Sequence, residues 1–130
     1  MEVLSSRVLL RPVKLAATQT FYRDVLGLAV SREFGSGEHR GVVFFLGNGM
    51  LEVSGTREPD TASTLVLWIQ VRDVHAELRR LADLGVDVVR EARTEPWGLI
   101  EGWIHDPDGT RIVVVQVPEN HPIRRDVREL

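Results

Sequence analysis

The segment LGLAVSRE, Leu26 to Glu33, recurs as LGVDVVRE, Leu84 to Glu91, with Leu, Gly, Val, Arg and Glu in the same five places. Each copy follows a helix-like stretch, and each of those follows an apolar run. A chain that uses one module twice has few ways to fold. A unit of this length cannot bury its own apolar face, so it packs on its twin, and the seam between two such halves is where a cavity can form.

Periodicity divides the first half into strand, helix and three strands. Arg7 to Pro12 alternates, with Val8 and Leu10 on one face and Arg7, Leu9 and Arg11 on the other. Thr18, Phe21, Tyr22 and Val25 follow helical spacing within Ala16 to Leu26, and Gly27 stands where a helix closes on a left-handed residue. Leu28 to Phe34, Val42 to Leu46 and Met50 to Ser54 read as strands, separated by Gly35-Ser36-Gly37 and Gly47-Asn48-Gly49. Gly55 to Ser63 is polar, contains Pro59 and lacks periodicity, which marks a linker.

The pattern then restarts. Leu65, Leu67, Ile69 and Val71 form an apolar face, while Val66, Trp68 and Gln70 fall on the other. Asp73 is a suitable N-cap, Val74, Leu78 and Leu81 form the buried stripe of a helix, and Gly85 ends it. Asp87 to Glu91, Leu99 to His105 and Arg111 to Val117 complete the strands, with the turn Asp106-Pro107-Asp108-Gly109 between the last two. The expected architecture is α+β, one domain over 1–130. Two tandem βαβββ modules, about 5–55 and about 64–118, form mixed curved sheets around a shared cavity, with a linker at 55–63 and a charged surface tail at 119–130.

Composition narrows the function classes. With 130 residues, 43% apolar and 27% charged, the chain can build one packed core. No run approaches the ~20 apolar residues of a membrane span, and the N-terminus lacks the layout of a secretory signal, so the expected location is the cytoplasm. Zero cysteines exclude disulfides, thiolate metal sites and cysteine nucleophiles. A net charge of -3 offers no basic face for nucleic acid. No Gly-Lys-Ser/Thr follows the glycine-rich segments, so no phosphate loop is expected.

FYRDVLGL (Phe21 to Leu28), the paired modules, and DPDGTRI (Asp106 to Ile112) closing the last hairpin together resemble the glyoxalase, bleomycin-resistance and extradiol-dioxygenase superfamily, the vicinal oxygen chelate fold. The resemblance covers nearly the whole chain. It implies a divalent ion held by one ligand near the start of the first strand and one on the last strand of each module. Counted onto this sequence, those places are Arg7, Glu52, Val66 and Val113. Arginine stays protonated and valine has no donor atom, so one position of four can hold a metal. The reading therefore assigns no metal and no cofactor. His39, His75, His105 and His121 fall in a loop, on a polar helix side, beside a turn and in the tail, and are read as solvated or structural.

Where the ion is lost, Arg7 is expected to pair with Glu52. That pair is either a structural neutralisation or, with Arg11, an anchor for a ligand carboxylate, phenolate or enolate. Trp68 shares a face with Gln70 and offers a wall for a planar ligand, or else fills core. Trp103 is read as core or dimer interface. The first reading is a metal-free binder of a small, planar aromatic organic molecule, resembling the bleomycin-resistance type, with Arg7, Leu9, Arg11, Glu52, Trp68, Gln70 and Val113 lining its cavity. The resemblance also implies a homodimer. The alternative is a lyase, isomerase or dioxygenase that uses a displaced metal, or Glu52 as a base with Arg7 stabilising an enolate; Glu101 is a second candidate base. Either carboxyl needs its pKa raised by desolvation to serve.

Overall fold

A computed structural model describes residues 1–59 and 65–122. In the first half the alternating Val8, Leu9 and Leu10 form β1 (Val8–Leu10), followed by α1 (Leu15–Thr20), β2 (Val30–Phe34), β3 (Gly41–Leu46) and β4 (Gly49–Val53). The second half repeats this order with β5 (Val66–Gln70), α2 (Val74–Asp83), β6 (Val88–Thr94), β7 (Ile100–His105) and β8 (Arg111–Gln116). The fold is α+β, built of two βαβββ modules, each with a four-stranded mixed sheet ordered β1-β4-β3-β2 or β5-β8-β7-β6. In both, the first strand pairs parallel with the last, and the other pairs are antiparallel. Spatially, among the described residues, 1–59 with 106–110 form one unit, and 65–105 with 111–122 the other.

In the first unit, Leu10, Val42, Phe44, Leu51 and Val53 are buried. The helix is tied to this sheet by a side chain: Gln19 Nε2 donates to the Val53 carbonyl at 2.9 Å and to the Arg40 carbonyl at 2.7 Å. The predicted helix over Ala16 to Leu26 is α-helical only to Thr20. Phe21–Val25 forms a π-helical turn, closed by Leu26 N to the Phe21 carbonyl at 2.9 Å. The wider turn accompanies the burial of two consecutive rings, Phe21 and Tyr22, which meet edge to face at 5.3 Å between centroids. A period of 3.6 could not foresee it.

The second unit follows its pattern more closely. Asp73 caps α2 through Ala76 N–H at 3.0 Å, Val74 N–H finds Gln116 Oε1 at 3.0 Å, and Val74, Leu78 and Leu81 are buried. Gly102 on β7 makes room for this helix, since a Cβ there would stand 2.5 Å from Leu78 Cδ1. The predicted strand Asp87 to Glu91 in fact runs to Thr94. Its register shifts between Val88 and Arg90 and again between Arg90 and Arg93, so polar residues continue the strand without simple alternation.

Both copies of the repeat serve one purpose: Gly27 and Gly85 take φ of 75° and 86° after the helix, and Arg32 and Arg90 follow on β2 and β6. Within the predicted linker, residues 60–63 lie outside the described residues, as do 123–130 of the predicted tail. Its described part is anchored, with His121 Nε2 2.7 Å from the Trp97 carbonyl.

Candidate functional site

The registers give the four counted positions matching places. Leu9 is the partner of Glu52 across β1 and β4, and Trp68 is the partner of Val113 across β5 and β8. Arg7 precedes Leu9 by two residues, as Val66 precedes Trp68, so each module presents the same corner of its sheet.

In the first unit that corner is an ion pair. Arg7 Nη1 donates to Glu52 Oε1 at 2.9 Å, and Ser54 Oγ donates to Oε2 at 2.6 Å. The Ser54 hydrogen bond, then the Arg7 bond and the charges of Arg7 and Arg11, hold the Glu52 carboxyl below the usual range against some desolvation. Arg11 comes close to the chain beyond β4, where its Nη1 would lie 2.7 Å from a Cβ at Gly55. Leu9 is about half exposed beside this cluster. The donor set does not fit a divalent ion. Three of its four places have no lone pair to give, and the fourth is already taken by a guanidinium and a hydroxyl. Among the described residues no group of three or more His, Cys, Asp or Glu side chains stands together.

Base chemistry at Glu52 does not meet its condition either. The sequence reading required a raised carboxyl, and the carboxyl is lowered. Glu101 is buried on β7, its Oε2 accepting Trp97 Nε1–H at 2.6 Å.

In the second unit a row of side chains crosses the whole sheet on one face. Trp68 pairs with Val113, Val113 with Trp103, and Trp103 with Arg90. Trp68 is 47% exposed and Gln70 is exposed beside it, so this tryptophan presents a ring rather than filling core. Trp103 departs from the expectation of core packing. It is partly exposed, and two guanidinium carbons lie over its ring, Arg90 at 4.1 Å and Arg111 at 4.3 Å from the centroid. Arg90 is neutralised: it pairs with the buried Glu95, to which Arg93 Nε also donates at 3.2 Å, and its Nη2 reaches the Glu101 carbonyl at 2.8 Å. Desolvation pushes the Glu95 carboxyl up, but the two arginines outweigh it and hold it below the ordinary range.

Sequence reasoning expected Arg7, Leu9, Arg11, Glu52, Trp68, Gln70 and Val113 to line one cavity; within each unit, the registers set Leu9 opposite Glu52 and Trp68 opposite Val113. It missed Arg90 and Arg111. Both had a signal, since Arg90 repeats Arg32 and Arg111 stands two residues before Val113 in a strand that alternates.

Comparison with known proteins bears on the fold and family. The pattern of the family described as "Glyoxalase/Bleomycin resistance protein/Dioxygenase superfamily" matches residues 5–114. No curated protein matches. Among solved structures, TnmS3, an antibiotic binding protein from Streptomyces sp. CB03234, is 20% identical with a TM-score of 0.75, over 90% of this chain and 98% of its own. Lactoylglutathione lyase from Agrobacterium tumefaciens is 22% identical with a TM-score of 0.68, over 89% and 94%. A superfamily member from Sphaerobacter thermophilus DSM 20745 is 20% identical with a TM-score of 0.66, over 89% and 97%. At these identities the likeness concerns the fold alone.

Proposed function

Because the chain belongs to the glyoxalase/bleomycin resistance protein/dioxygenase superfamily, we propose that it binds a small, planar aromatic organic molecule without a metal ion and without transforming it. The observation that carries this reading is Trp68, an indole left 47% exposed on a sheet face between Val66 and Gln70. Exposing so large a ring forgoes burial free energy, which stacking on a flat ligand recovers. Gln70 and Val113 flank the ring. On the first unit Leu9, Arg11 and the Arg7–Glu52 pair are the polar and apolar groups proposed to contact ligand. The description of TnmS3 as an antibiotic binding protein supports the same class of role.

The lyase, isomerase or dioxygenase alternative loses support from the lowered Glu52 carboxyl and from a donor set unsuited to a metal. A cytoplasmic homodimer belongs to the proposal, with the cysteine-free sequence supporting the location. Among the described residues no helix is long and apolar enough to cross a membrane.

The test combines elemental analysis of purified protein with a thermal-shift screen against divalent metals and a panel of planar aromatic compounds. A ligand that binds only the native state must raise its melting temperature. Metal-free protein stabilised by aromatic compounds, with the shift lost in Trp68→Ala, is the expected result. Stoichiometric metal, or stabilisation by metal alone, overturns the reading in favour of metal-assisted catalysis. Light scattering on the eluted protein checks the dimer.

A further inference from the structure

We propose that Arg111, held against Trp103, is an anion-binding residue that selects aromatic carboxylates as ligands. This rests on the ligand-binding reading above and specifies its chemical class.

Two cations share one indole, and their circumstances differ. Arg90 is partly buried and has its charge met by Glu95, while its Nη2 is engaged by the Glu101 carbonyl. Arg111 is exposed, and among the described residues no carboxylate pairs with it. Its guanidinium carbon lies 4.3 Å from the Trp103 ring centroid, and a guanidinium that meets a ring through its flat face keeps its in-plane N–H donors free to receive a carboxylate through two parallel hydrogen bonds. The ring also restricts a side chain that would otherwise lose several rotamers on binding.

The surroundings suit an aromatic acid. Arg111 pairs in register with Val66 on one side and His105 on the other, and Trp68 with Val113 forms the next row of the same sheet face. An anionic group on Arg111 therefore has an exposed aromatic ring within the adjacent row to receive the body of the ligand. Arg7 is a poorer anchor by the same reasoning, because Glu52 already occupies it.

Isothermal titration with naphthoate and with its uncharged counterpart naphthamide separates the claims. The wild-type chain should prefer naphthoate. Arg111→Gln should weaken naphthoate about tenfold, the scale of one charge-assisted bond, and change naphthamide by less than about twofold. Arg111→Lys should fall between, since an ammonium keeps the charge but neither stacks nor presents a planar fork. Unchanged naphthamide binding also shows that the variant is folded. If naphthoate binds Arg111→Gln as tightly as wild type, the anchor is overturned while aromatic binding stands. If neither compound binds the wild-type chain, the aromatic reading falls and the anchor falls with it.

Discussion

Tyr22, fully buried, donates its phenolic hydrogen to Asp106 Oδ2 at 2.8 Å across 84 residues of sequence. The other oxygen of Asp106 accepts the N–H groups of Asp108 and Thr110, both at 2.9 Å, and so shapes the turn that grips the tyrosine. Asp108 then accepts Val13 N–H at 2.7 Å and pairs with Arg57 at 2.6 Å. This connected set accounts for the turn 106–110 belonging with the first unit rather than with the strands it joins.

Tyr22→Phe leaves Asp106 Oδ2 buried without that donor. Loss of about 1–3 kcal/mol is expected, the cost of an unsatisfied buried acceptor. Urea denaturation of the variant against wild type measures it.

Asp106 also carries a pH signature. Burial raises its carboxyl above the usual aspartate range, and the hydrogen bonds from Tyr22, Thr110 and Asp108 only partly offset that. A group raised in the folded state favours folding at low pH, and that contribution is lost as pH rises through the folded value. Asp106→Asn keeps the acceptor for the two turn N–H groups and cannot ionise. Its melting temperature relative to wild type should therefore improve from about pH 3 to about pH 7; a difference that does not vary with pH would contradict the assignment.

Glu52 has the opposite sign. Its lowered carboxyl contributes stability that is present above the ordinary glutamate value and is lost as pH falls through the folded one. Arg7→Ala should cost under about 1 kcal/mol at neutral pH, because the Arg7 side chain is 41% exposed and solvent screens the pair. Glu52→Gln should flatten the acid limb of stability between about pH 6 and about pH 3. Thermal melts across that range report both effects.

Gly102→Ala tests the seat of α2. The added Cβ meets Leu78 Cδ1 at 2.5 Å and Ala92 N at 3.3 Å; the leucine can turn, but the β6 backbone can yield only slightly. A loss of about 1–3 kcal/mol is expected from overpacking, read by chemical denaturation. No change would show that the helix shifts freely on its sheet.

Much of this was legible because it is local. Alternation in Val8 to Leu10 and Val66 to Gln70 assigns each side chain to a face, the Asp73 cap and Gly85 bound a helix, and the repeated Leu-Gly shows that one plan is used twice. The Arg7–Glu52 pair was also legible, since the family resemblance puts both residues at ligand places of one ion, where a cation and a carboxylate would meet instead. That Trp103 is not core escaped the sequence because tryptophan's average burial says nothing of two arginines arriving from the strands on either side. The π turn and the bulges of β6 escaped because each is a departure from a fixed period.

The sequence by itself determined the two modules, their element order, the faces that carry Trp68 and Glu52, and the poverty of metal donors at the family's ligand places. Residue type and period are enough for the modules and faces, since they depend on neighbours a few positions apart; the ligand places came from the family resemblance. Only the tertiary structure decided which charges are spent and which remain free. It set Ser54 on Glu52 and Glu95 on Arg90, and among the described residues it gave Arg111 the Trp103 ring but no carboxylate, because pairing across strands depends on registers that no single segment encodes.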